Sequence, residues 1–181
     1  MSNRVVNKPG ALKLELFGDG NSVVFGENTQ GFRGQMYIGT PDCPAYGCFV
    51  SVGPGSTSNG VFIRVLDDNS RVEIGKDCMF SDEINIWASD THTILDEAGH
   101  VTNMGRFISI DDHVWVGKRA TILKNTYIAP NSVIGWGAVV SGTFDKAGSV
   151  VAGNPATVVK TITDWSRMRP CQYIRKTGKP L

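Results

Sequence analysis

The sequence is short of the groups that most often announce a chemistry. It has three histidines in 181 residues, and its four cysteines, Cys43, Cys48, Cys78 and Cys171, form no C-x-x-C pair. That spacing excludes a zinc knuckle or a dithiol motif and leaves the thiols as small reduced hydrophobes. Neither charge is in excess: eighteen Lys+Arg stand against seventeen Asp+Glu, a formal net charge of +1. So balanced a chain lacks the broad basic field that draws proteins to phosphate backbones, and no nucleic-acid partner is expected. Long apolar runs are missing too. The opening MSNRVVNKPGALKLELFGDG contains no stretch of signal-segment length, and nothing later approaches the ~18 apolar residues of a membrane span. The expectation is a soluble, cytoplasmic protein without a membrane span, of a length suited to one domain.

What the chain does have is glycine, twenty-one in all, among many Val and Ile residues, which argues for tight turns between short strands. An aliphatic residue recurs every six positions through Ile110, Val116, Ile122, Ile128, Ile134 and Val140. Four residues after each come Val114, Ala120, Thr126, Ser132, Ala138 and Phe144, all small but the last. The register extends back to Ile74, Phe80 and Ile86, with Cys78 and Ile84 at companion positions. A period of six fits neither an amphipathic helix nor an alternating hairpin sheet. It fits a coil of short strands, three units to a turn, with aliphatics stacked inside a triangular prism and hydrogen bonds running between turns. The fold class is therefore an all-β parallel β-helix.

Residues 1–160 are expected to form this domain. Irregular early coils occupy 1–71, where LKLELFG, SVVFG, GQMYIG, GCFVSVG and GVFIRVL look like unevenly spaced strands and GTPDCPAYG like a surface excursion. At about 88–107 the repeat is interrupted by a polar stretch that should stand out as a loop. Residues 161–181 form a C-terminal tail, in which Thr163 is read as capping a short helix from Asp164 that ends before Pro170. Arg167, Arg169, Arg175, Lys176 and Lys179 make the tail cationic, either as a solvated end or for contact with phosphates or a neighbouring subunit.

The stretch ISIDDHVWVGKRATILKNTYIAPNSVIGWGAVVSG, with VVAGNPATVVK after it, closely resembles the hexapeptide-repeat O-acetyltransferases, among them maltose, galactoside and bacterial polysaccharide acetyltransferases. The resemblance is firm from Val72 to Lys160. It implies a left-handed coil, acetyl-CoA as donor, no metal, and a homotrimer with active sites between subunits. In such proteins the interruption carries the catalytic histidine. The SDTH sequence resembles the polysaccharide-acetyltransferase form of that motif, which gives the role to His92. Imidazole suits it, since a hydroxyl is a poor nucleophile until a base takes its proton.

A base also needs its second nitrogen held, and Asp90 and Asp96 are near enough in sequence to do so. Asp82 and Asn85, just before the loop, are candidates to line the acceptor site. For the donor, the resemblance points to Trp115, Gly117, Lys118, Trp136, Ser141, Gly142 and Lys160. These depart from the family pattern at three places. Lys118 and Trp136 stand where small residues are usual, so only the Lys118 backbone N–H carries over as an oxyanion donor, and Ser141-Gly142 replaces a common Thr-Lys.

Other readings of the same residues stay open. His100 fits a flexible loop tip, and His113, before VWVG, a structural or cofactor-edge role. A zinc carbonic anhydrase of the same coil would need paired histidines on successive corners, a spacing that His92, His100 and His113 lack. The acceptor is read as a sugar hydroxyl of a polysaccharide, lipopolysaccharide or sugar precursor. An antibiotic or amino sugar, or a non-catalytic scaffold, are the alternatives.

Overall fold

The computed structural model describes residues 2–179; Pro180 and Leu181, the end of the expected tail, lie outside the described residues. The early coils hold β1 (Arg4–Val6), β2 (Leu12–Leu16), β3 (Ser22–Phe25), β4 (Phe32–Ile38), β5 (Phe49–Val52) and β6 (Thr57–Val65). Next come β7 (Arg71–Ile74), β8 (Met79–Phe80) and β9 (Ile84–Trp87), and then the excursion. Beyond it lie β10 (Phe107–Ile110), β11 (Trp115–Val116), β12 (Thr121–Leu123), β13 (Thr126–Ile128), β14 (Val133–Ile134), β15 (Val139–Val140) and β16 (Thr143–Phe144). An antiparallel hairpin of β17 (Ser149–Gly153) and β18 (Ala156–Thr161) closes the coil.

Every other pairing among these strands is parallel and joins successive turns, which makes three faces. The first face stacks β1, β3, β5, β7, β10, β13 and β16. The second runs from the start of β6 through β8, β11, β14 and β17, and the third through β2, β4, the end of β6, β9, β12 and β15. The six-residue repeat is the register of this prism. Ile74, Ile110 and Ile128 stack on the first face, Phe80, Val116 and Ile134 on the second, Ile86, Ile122 and Val140 on the third, all buried. Burying each such aliphatic side chain contributes roughly 1.5–3 kcal/mol. The early coils are filled by rings instead, with Phe32 packed 6.1 Å from Phe25 and 5.9 Å from Phe80. Cys48 and Cys78 are buried with them, and burial pushes the Cys78 thiol up to about 11.

Corners are sharp and closely stacked. Asp77, Glu83, His113, Arg119, Asn125 and Asn131 all take left-handed φ values there. Gly75 answers a different need: a Cβ on it would lie 2.6 Å from the Asp111 carbonyl carbon and the Asp112 nitrogen of the next turn. Backbone cannot yield as a flexible side chain can, so only glycine fits.

The tail differs from expectation. No helix forms over 164–169; α1 (Pro170–Thr177) begins where the sequence reading ended it. Proline at the first helical position loses no hydrogen bond and has its φ preset, while the residue before it, Arg169, is driven to extended backbone at φ −63°, ψ 146°. Gly178 ends the helix in a left-handed cap, its N–H donating to Ile174 O at 2.8 Å. GTPDCPAYG is the surface excursion expected, with Gly39 and Ala45 buried and Ala45 packed into the core.

Candidate active site

The interruption leaves the prism after Trp87, at the edge between the third and first faces, and is tied at both ends to one carboxylate. Asp67 accepts from Ser89 Oγ at 3.0 Å and from the Gly105 N–H at 2.8 Å. A Cβ on Gly105 would run into the Ala88 carbonyl, so the two arms of the loop close against each other. Asn103 forms a crossbar higher up. Its Nδ2 donates to Asp90 Oδ2 (2.9 Å) and to the His92 carbonyl (2.8 Å), while its Oδ1 accepts from the Ile94 N–H (2.9 Å). Lys124, on the coil below, pairs with Asp90 at 2.8 Å. Lys124 first, and then Asn103, hold the Asp90 carboxyl below the usual carboxylate range.

His92 is therefore fixed through its backbone. Its N–H donates to the Asp90 carbonyl at 2.8 Å and its carbonyl is held by Asn103. The ring is exposed and hydrogen-bonds to none of the described residues. Orientation of this ring by Asp90 or Asp96, expected from the sequence, is not found among the described residues. Asp90 is engaged by Lys124 and Asn103. Asp96 caps its own turn, accepting from the N–H groups of Ala98 (2.9 Å) and His100 (2.8 Å) and facing His100 Nδ1 at 3.2 Å. Those bonds, that from the His100 backbone first, lower the Asp96 carboxyl. Closeness in sequence brought these carboxylates into the loop, but local turn bonding took up their oxygens.

A second feature lies on another edge, between the second and third faces. There a groove of about 360 Å³ is lined by Ser81, Asp82, Trp115, Gly117, Lys118 and Trp136, among others. Lys118 Nζ sits 3.1 Å from Glu83 and 5.8 Å from the centre of the Trp136 ring, which is 70% exposed. Arg119 also pairs with Glu83, at 2.7 Å, and the two cations, Arg119 foremost, lower that carboxyl. The Gly117 N–H is spent on the Ile134 carbonyl at 2.8 Å, and Lys118 O accepts from the Gly137 N–H at 2.9 Å. The Lys118 N–H itself donates to none of the described residues.

The expected site residues thus divide. Trp115, Gly117, Lys118, Trp136 and Asp82 share the groove. Asn85 opens instead onto a hollow of about 380 Å³ on the third face, with Gln35 and Phe62. Ser141 and Gly142 stand on the edge from which the loop departs, where Gly142 O accepts from the Tyr127 N–H at 3.0 Å. Lys160 is exposed on β18, opposite Val150. The residues that build the loop, Asp67, Asn103 and Lys124, carried no local signal, because their partners lie up to 38 residues away.

Known proteins resemble the chain in sequence and in fold. No family model matches the chain. The polysialic acid O-acetyltransferase of Escherichia coli O1:K1 / APEC is 34% identical over 119 residues, 65% of this chain and 38% of that protein. The galactoside O-acetyltransferase of Escherichia coli K12 is 30% identical over 122 residues, 66% of this chain and 58% of that one. The chain thus spans less than two thirds of the curated relatives it matches. Among solved structures, the crystal structure of the polySia-specific acetyltransferase NeuO superimposes with a TM-score of 0.76 at 24% identity, covering 97% of this chain and 88% of that one. The fold is the left-handed parallel β-helix, and the resemblance to hexapeptide-repeat acetyltransferases is borne out. Among these relatives the sequence is similar to polysialic acid and galactoside O-acetyltransferases in particular.

Proposed function

We propose that the protein transfers an acetyl group from acetyl-CoA to a saccharide hydroxyl, in a ternary complex and with His92 as general base. The observation that carries this reading is the His92 ring itself: exposed, without a partner among the described residues, and pinned by backbone bonds on both sides in a loop on a rigid coil. The imidazole accepts the hydroxyl proton as the oxygen attacks the thioester carbonyl. The Lys118 N–H, which has no acceptor among the described residues, is the donor suited to the oxyanion, and the protonated histidine returns its proton to the leaving thiolate. The names of the relatives support a sugar acceptor. Dependence on acetyl-CoA makes the cytoplasm the working compartment.

The loop and the groove stand on different edges of one prism. We propose that they meet between subunits of a homotrimer, the loop of one copy reaching the groove of the next. Exposed Ile94, Leu95, Val101 and Met104 on the loop supply the apolar surface for that contact.

The test is to follow CoA release from acetyl-CoA over a saccharide panel with wild type and His92→Ala. Loss of a general base lowers turnover about 10²–10⁴-fold. Near-wild-type turnover in His92→Ala would remove the mechanism, and absence of turnover by wild type on every saccharide would remove the sugar reading.

A further inference from the structure

We propose that the C-terminal strap, residues 163–167, is a working part of the donor groove, with Trp165 as the positioning residue that fixes Trp115 in its wall. The proposal rests on the groove being the acetyl-CoA site.

Beyond β18 the chain turns back and descends the edge between the first and second faces. Its anchors are met in order. Asn131 Nδ2 donates to the Thr163 carbonyl at 3.1 Å. Trp165 Nε1 donates to the His113 carbonyl at 2.7 Å, and His113 Nε2 faces Asp164 Oδ1 at 3.2 Å and the Trp165 carbonyl at 3.3 Å. Arg167 then reaches Asp77 (2.9 Å), Thr57 Oγ1 (2.8 Å) and the Cys78 carbonyl (3.0 Å). Asn131, His113 and Asp77 occupy one corner position in successive coils, with left-handed φ of 63°, 55° and 52°. Their side chains form a ladder down the edge, one rung per turn, and His113 Nδ1 ties two rungs by meeting Asp77 at 2.6 Å.

Trp165 is the tightest part of the strap. Although it belongs to a tail, it is 9% exposed, and what covers it is local. The His113 ring stacks on it at 4.3 Å and 15°, the Arg167 guanidinium lies 5.9 Å from its ring centre, and Trp115 meets it at 6.0 Å. Trp115 stands in register between Met79 and Val133 of the neighbouring turns, its ring makes one long bond, Nε1 to Ser81 Oγ at 3.4 Å, and 36% of its surface is exposed. A large ring so placed has its rotamer set by the neighbour packed against it. His113 is thereby spent on the strap, which separates it from the role given to His92.

The experiment measures KM for acetyl-CoA, KM for the acceptor and kcat in wild type, Trp165→Ala, Trp165→Phe and Arg167→Ala, alongside calorimetric CoA binding and thermal melts. Trp165→Ala is expected to raise KM for acetyl-CoA roughly tenfold while KM for the acceptor stays put, and Trp165→Phe to recover most of the loss. If Trp165→Ala does not fold, Arg167→Ala decides, since it frees the far end of the strap and is expected to shift the same parameter. Unchanged acetyl-CoA parameters in a folded variant, or equal losses for donor and acceptor, overturn the proposal. A wild type that neither binds CoA nor turns it over overturns the donor reading as well, so the two failures are distinguishable.

Discussion

At the scale of single residues, the loop that carries His92 is governed by a few polar atoms whose free energies are small and local. Asp90 and Lys124 make an ion pair whose carboxylate is exposed and whose lysine is largely covered. A pair open to solvent on one side contributes about 0.5 kcal/mol. Because Lys124 lowers the Asp90 carboxyl, the contribution is complete above the unfolded value of ~3.9 and is lost as pH falls through the lowered one. Lys124→Met should therefore reduce amide protection in the loop by ~0.5 kcal/mol at pH 7 without moving the melting temperature of the coil. Hydrogen exchange from pH 7 to pH 3 checks the sign: the gap between variant and wild type is expected to close towards acid, and a gap that widened would contradict the assignment. None of this was legible in the sequence. SDTH pointed to His92, but Asp90 and Asp96 looked like its partners because sequence distance says nothing about which oxygen a lysine or a turn amide reaches first.

Among elements, legibility followed how regularly each turn is built. Between Ile110 and Val140 a turn is three six-residue units, so Ile110 pairs with Ile128, Val116 with Ile134 and Ile122 with Val140, and the inward residues could be named before the coil was seen. Earlier turns are longer: Phe25 pairs with Val52 and Val52 with Ile74, and β6 spans a corner to serve two faces. Rings of Phe25 and Phe32 fill the interior there, and no fixed period records them. The tail was misread because Pro170 can stop a helix or start one, and what decides is the strap before it. Its Trp165 and Arg167 are bound to residues 52 to 112 positions away.

Glycine also means different things in different elements. Gly75→Ala is expected to cost on the order of 1–3 kcal/mol, because its Cβ would meet the backbone of the next turn at 2.6 Å. Gly10→Ala, with nothing within 4 Å and no left-handed φ, should stay within ~0.5 kcal/mol of wild type. Urea denaturation of the two variants measures the contrast, and equal effects would show that stacking of turns is not what demands the glycine.

For the molecule as a whole, the decisive fact is that the His92 loop and the Lys118–Trp136 groove rise from different edges of a stiff prism. A β-helix does not fold over on itself, since each turn is hydrogen-bonded to the next. A second copy related by rotation can bring the two edges together, and in the proposed trimer three copies would close the ring with each loop in the next groove. Under that arrangement a subunit disabled only in the loop still offers a working groove, and one disabled only in the groove still offers a working loop. His92→Ala and the double variant Trp115→Ala, Trp136→Ala should each be nearly inactive alone. Refolded together in equal amounts, they should recover about a quarter of wild-type activity, because one site in four then joins a good loop to a good groove by random assembly. A mixture as dead as its parents, with mixed oligomers demonstrated by mass, would mean that each site is completed within one chain. The loop would then have to move across the third face to reach Lys118, and the bonds of Asp67, Asn103 and Lys124 that hold its base would have to give way first.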